Sequence, residues 1–197
     1  IMNLKKLIRS MLVESSVEQH LLSRGLDLRR TRVIVDDEAG LAVFLLFNVS
    51  GQLVGYQQYR PGAEKSGNEP RLNRYFTRRG DEGKSKKLAV WGLETVTSDV
   101  SVVYVVEGIF DAVKLHNADR AAVAILTSNP GPLGGWLRVL GKRTIGILDN
   151  DHTASQAGGI RGSTSKSFVV PDPYKDLGDM PQDEVNDFIS AIERSVK

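Results

Sequence analysis

The chain contains no cysteine. Disulfides and any cysteine-ligated zinc or iron–sulfur site within it are therefore excluded, and an intracellular location is compatible. No apolar run approaches the roughly 20 residues of a membrane-spanning helix. The N-terminus lacks the apolar core of a secretory signal. No internal repeat, heptad or low-complexity segment is visible. Net charge is small, +2. What is present is ordinary for a soluble globular protein: 197 residues, 41% hydrophobic and 25% charged, enough for one large domain or two small ones. Ile1 precedes Met2, as an added leading residue or a piece of a longer chain would have it.

The charges are unevenly placed. Residues 1–97 carry 16 basic and 11 acidic groups, and residues 98–197 carry 10 basic and 13 acidic. Nearly all the excess positive charge lies between Tyr56 and Gly92, at Arg60, Lys65, Arg71, Arg74, Arg78, Arg79, Lys84, Lys86 and Lys87. A basic half beside an acidic half suits a polyanionic partner. A solvated basic surface explains the count equally well.

The acidic half carries the sharper signal. Glu107 follows the apolar run Val102–Val106 and precedes Gly108; Asp111 lies four residues on. Asp149 and Asp151 follow a second apolar run, Thr144–Leu148. Carboxylates gathered past the ends of two apolar strands repel one another, and a hard divalent cation with oxygen ligands relieves that repulsion. The pattern reads as a metal site at the C-terminal edge of a parallel sheet, where open α/β folds place their chemistry.

Periodicity sets the elements. Leu4 to Leu22 is helical, with Ser15 or Ser16 capping a second start and Gly25 ending the region. Arg32–Val35 and Leu41–Val49 are strands, Ser50-Gly51 turns the chain, and Leu53–Tyr59 returns as a hairpin arm. Residues 61–87 read as a long polar loop with one short strand at Tyr75–Thr77, and Leu88–Leu93 re-enters the core. The second half alternates: strand Val102–Val106, helix Ile109–Asn117, strand Ala121–Leu126, a short helix within Gly131–Leu140, strand Arg143–Leu148. A Gly-rich loop or weak helix follows at 153–162, then strand Ser167–Val170 and a closing helix Pro181–Val196. Such alternation implies right-handed βαβ units and a mostly parallel sheet. The boundary falls near residues 94–100, giving a basic α+β part over 1–95 and an α/β part over 96–197.

Glu107-Gly108-Ile109-Phe110-Asp111, Asp149-Asn150-Asp151 and Lys175-Asp176-Leu177-Gly178-Asp179, in that order and each after an apolar run, resemble the acidic signatures of the TOPRIM domain. Primases, topoisomerases, some nucleases and recombination mediators share that domain. The hairpin Phe44–Tyr56 and the basic residues after it resemble the catalytic core of bacterial-type DNA primases. That resemblance spans roughly residues 22–180. It implies a Rossmann-like parallel sheet flanked by helices, preceded by the smaller basic α+β subdomain.

It further implies metal-dependent nucleotidyl transfer, making short RNA primers on single-stranded DNA. Glu107, Asp149 and Asp151 would be the catalytic ligands. Two or more Mg²⁺ or Mn²⁺ ions would be held by these with Asp111, Asp176 and Asp179. Arg60, Arg74, Lys86 and Lys87 would bind template or incoming NTP. Tyr56, Tyr59, Tyr75 and Phe76 could stack on unpaired bases. A replicative helicase or a separate zinc-binding module would be the partner, since this chain holds no cysteine and too little room for such a module at its N-terminus. The setting implied is the cytoplasm of a bacterium or a phage-infected host.

Blander readings stand beside these. Glu107 suits a helix N-terminus, Asp111 can pair with Lys114 one turn on, and Asp179 can cap the closing helix. His20 and His116 read as surface or packing residues, and Trp91 and Trp136 as core. A TOPRIM nuclease and a non-catalytic nucleic-acid-binding protein are the competing functions.

Overall fold

Short apolar runs bounded by turn residues become strands, and runs with a 3.6-residue apolar period become helices. The computed structural model describes residues 16–80, 89–126, 133–150 and 158–196. The expected helix before Ser16, together with Lys84, Lys86, Lys87 and Asp151, lies outside the described residues. The chain divides into two compact units. One comprises residues 1–44 and 57–76, the other residues 45–56 and 77–197.

In the first unit, helix α1 (Val17–Ser23) starts at Ser16, whose side chain accepts a hydrogen bond from Gln19 N at 3.1 Å. This is the N-capping arrangement anticipated from the sequence. Gly25 adopts φ +81 just past its end, the left-handed position glycine fills at helix C-termini. Strand β1 (Val33–Asp36) pairs antiparallel with β2 (Leu41–Phe47), Val33 opposite Phe44. β3 (Leu53–Tyr59) and β4 (Tyr75–Arg79) complete a sheet of order β1-β2-β3-β4, of which residues 45–47, 53–56 and 77–79 count with the second unit. In β2 the side chains of Ala42, Phe44 and Leu46 are fully buried and their neighbours are partly exposed, the alternation of a sheet with one covered face.

The second unit is built on a parallel sheet of order β6-β5-β7-β8, from β5 (Val102–Val106), β6 (Ala122–Ala124), β7 (Arg143–Leu148) and β8 (Lys166–Val169). β5 pairs with β6 on one side (Tyr104 opposite Ala122) and with β7 on the other (Tyr104 opposite Ile145). The helices are α2 (Ile109–Asn117), α3 (Leu133–Val139), α4 (Gly158–Ser163) and α5 (Gln182–Ser195). Val103, Val105, Val123 and Ile125 bury against Leu133, Leu137 and Ile160, so α3 and α4 supply the cover for that core. α2 packs on β5, β6 and α5. Both faces of β5 are thus covered, which is why its sequence is an unbroken apolar run rather than an alternating one.

Two close approaches explain particular residues. A Cβ at Gly146, in the middle of β7, would meet Ile160 Cγ2 at 2.6 Å, so only glycine lets α4 pack there. Residues 89–93 do not form a strand of the sheet. Instead Val90 bridges Phe47, and Trp91 bridges Ala124 with N–H···O bonds of 3.1 and 2.9 Å in the two directions. Trp91 is 3% exposed and stacks on His116 at 5.2 Å, so both are packing residues. No helix among the described residues is long and apolar enough to cross a membrane.

Candidate metal and nucleotide site

The connections define where a site must lie. The chain leaves β5 toward β6, and leaves β7 toward β8, in opposite directions across the sheet. The strands between which the direction reverses, β5 and β7, diverge beyond their carboxyl ends into a crevice. Glu107 directly follows β5 and Asp149 directly follows β7. Adjacent parallel strands therefore bring two carboxylates some forty residues apart in sequence to one rim. Both are partly buried.

Asp111 organises this rim. It sits one turn into α2 and is almost wholly buried. Its Oδ2 accepts from Gly108 N at 3.0 Å, the backward reach of an N3 carboxylate to the start of its own helix. Its Oδ1 accepts from Gly178 N at 2.8 Å, in the third acidic element. A Cβ at Gly108 would lie 2.7 Å from Asp111 Oδ2, so the glycine is needed for this contact. Burial, then the Asp176 carboxylate, then that of Asp149, push the Asp111 carboxyl well above its usual value, and the two backbone N–H groups pull the other way. The carboxylates of Asp111, Asp149 and Asp176, from three separate segments, are thus near enough to feel one another.

The third element is a short 3₁₀ turn, Leu177–Asp179, packed against α2. Asp176 caps it, Oδ1 accepting from Asp179 N at 3.0 Å. Asp179 itself is exposed and does not cap the closing helix, where Pro181 occupies the N-cap position without a side-chain bond. A second tie joins the DxD segment to this element. Asn150 N donates to Lys175 O at 2.7 Å, and Asn150 Nδ2 to Asp172 Oδ1 at 2.7 Å. Among the described residues no three acidic or histidine side chains are close enough together to hold an ion among them. Asp151 is not one of those residues. The donors at the rim are all carboxylate oxygens, which fit a hard divalent cation.

Two basic residues of the first unit, Arg60 and Arg74, are engaged with its own backbone. Arg60 Nη1 donates to Ala39 O at 2.8 Å and Nε to Arg71 O at 3.4 Å. Arg74 Nε donates to Ala63 O at 2.9 Å. Tyr59 is 4% exposed, stacks on Tyr75 at 5.2 Å and shares a 2.8 Å hydrogen bond with His20. Burial thus removes Tyr59 as a base-stacking platform, while Tyr75 remains exposed. Sequence reasoning passed over Arg79. It counted as one of nine basic residues in a stretch, yet its Nη2 donates to Ile125 O at 3.2 Å, at the end of β6.

The fold, a parallel sheet flanked by helices with an antiparallel sheet before it, is that of primase catalytic cores. The E. coli primase catalytic core superposes with a TM-score of 0.63 at 16% identity, over 89% of this chain and 71% of that one. The Aquifex aeolicus primase, comprising zinc-binding and RNA polymerase domains, gives 0.55 at 20% identity over 95% and 49%. The primase fragment of the bacteriophage T7 primase-helicase gives 0.53 at 15% identity over 80% and 62%. The chain spans about half the length of the Aquifex protein. No family model matches the sequence, and no curated protein does.

Proposed function

We propose that this chain is the catalytic core of a DNA primase, joining NTPs into short RNA primers on single-stranded DNA. The observation that carries this reading is the Asp111 carboxylate, which joins the Glu107 loop to the Lys175–Asp179 element, on a fold similar to primase cores. In this reading residues 96–197 form the catalytic part and residues 1–95 bind template and NTP.

Each group has a role. Glu107, Asp149 and Asp151 would hold two Mg²⁺ or Mn²⁺ ions, with Asp176 and Asp179 near the second. When bound, such ions make the 3′-hydroxyl more acidic and offset charge on the departing pyrophosphate. Asp111 positions the carboxylates: its two oxygens fix the loops that carry Glu107 and Asp176. Arg60, Arg74, Lys86 and Lys87 supply positive charge for template phosphates or the triphosphate. A helicase and a separate zinc-binding module are the proposed partners.

The test is incubation with single-stranded DNA, labelled NTPs and Mg²⁺ or Mn²⁺, beside Glu107→Gln, with products resolved by length. New short oligonucleotides from the parent and none from the variant are expected. Shortening of the template without synthesis would move the assignment to a nuclease. Replacing both Arg74 and Lys86 is expected to abolish NTP use, and unchanged primer yield would overturn their assignment.

A further inference from the structure

Arg79 is the last residue of β4, and its backbone is held firmly. Gly80 N donates to Val54 O at 2.7 Å. Gly55 has no Cβ because one would run into the Arg78 carbonyl, so β3 and β4 meet closely at this point. From this anchor the side chain reaches the parallel sheet, donating from Nη2 to Ile125 O just past the end of β6. The next residue, Leu126, has φ +57 and donates its N–H to Glu107 O at 2.9 Å. The guanidinium therefore stands one residue from the backbone of the carboxylate that opens the acidic rim.

The remaining donors of this group matter. Arg79 is half-buried, and its Nε is shut off from solvent with no partner among the described residues. A guanidinium stays charged in proteins and offers five N–H donors in a planar fork. Removing that charge from water is costly, and a backbone carbonyl offsets only part of the cost. Pinning β4 to β6 would need only a neutral donor. A buried cationic fork on an otherwise acidic rim suits an anion that arrives with its own cations, as a metal-bound triphosphate does.

We propose that Arg79 is a substrate-positioning residue, whose guanidinium binds a phosphate of the incoming nucleoside triphosphate at the Glu107 rim. The proposal rests on the primase reading and goes beyond it, since the basic residues named there lie elsewhere. Arg79→Ala removes the fork, and Arg79→Lys keeps a charge but loses the planar fork.

The experiment measures equilibrium binding of a fluorescent NTP analogue with Mg²⁺, and separately of fluorescent oligo-dT, to parent and both variants, with thermal melts as a fold check. The expected result is a nucleotide Kd raised at least about tenfold in Arg79→Ala, the order expected for removing a hydrogen bond to a charged group, and raised less in Arg79→Lys. Oligo-dT affinity should stay within about twofold. Unchanged nucleotide affinity in a variant that melts like the parent overturns the proposal; if Arg79→Ala does not fold, Arg79→Lys decides. Abolished oligo-dT binding with intact nucleotide binding also overturns it, giving Arg79 to the template. A parent that binds no NTP brings down the primase reading as well, so the two failures are distinguishable.

Discussion

At the residue scale, Asp111 and Gly108 act as a pair. The carboxylate can reach Gly108 N only because no Cβ stands 2.7 Å from its Oδ2. Gly108→Ala should push the carboxylate aside without emptying the core. We expect metal affinity or activity to fall about 10- to 100-fold, the usual effect of disturbing groups that orient metal ligands, with a nearly unchanged circular dichroism spectrum. Titration by calorimetry with Mn²⁺ checks it. The motif residues were legible in the sequence because carboxylates after apolar strands have few folding uses. The dual role of Asp111 was not legible, because its second partner, Gly178, lies 67 residues away. Its pairing with Lys114 was a reading from helix spacing alone, and both Asp111 oxygens turn instead to backbone N–H groups.

At the element scale, β3, β5, α2 and β7 have the limits their patterns predict: β5 is an apolar run closed by Glu107, β7 an apolar run closed by Asp149, β3 the return arm of a hairpin ended by Arg60, and α2 an amphipathic stretch. β6 is shorter than expected, and β4 longer. The difference at β4 has a tertiary cause: Arg78-Arg79 is too polar to read as a strand, and becomes one by pairing in the sheet. The isolated bridges of Val90 and Trp91 were equally hidden. Two tests belong here. Gly146→Ala should overpack β7 against Ile160 and cost about 1–3 kcal/mol of stability, measured by urea unfolding. His116 stacks on Trp91 and bonds the Ala122 carbonyl through Nε2. Burial lowers its pKa, opposed by the Ala122 bond and by Glu94. Because the folded value lies below 6.5, the unfolded chain takes up a proton first as pH falls. Stability from His116 is therefore full above about 6.5 and is lost as pH drops toward the folded value. The melting temperature should fall between about pH 7 and 5, and less so in His116→Gln. A chemical-shift titration placing His116 above 6.5 would contradict this.

At the scale of the whole molecule, the asymmetry of charge would govern the encounter of the proposed primase core with DNA. Binding to single strands should weaken linearly in log–log plots against salt. Arg71 and Arg78 are exposed. Replacing either with alanine should lower the slope by about 0.7 for each phosphate it had neutralised. Fluorescence anisotropy across a salt series measures this directly. A slope unmoved by both changes would place the DNA elsewhere. The parallel sheet of the later half was legible from the alternation of strands and helices. The membership of residues 45–56 with the later half was not, because nothing in their local pattern separates them from the hairpin they belong to.

The bridge between Trp91 and Ala124 has a practical consequence. It sits on the outer side of β6, the strand that would otherwise end the parallel sheet with open N–H and C=O groups. A shortened protein starting at residue 96 keeps every acidic motif yet loses this cover. Such a fragment should recruit other chains through its bare strand and come off a sizing column as soluble aggregates. Extending the start to residue 89 should restore much of the monodisperse peak.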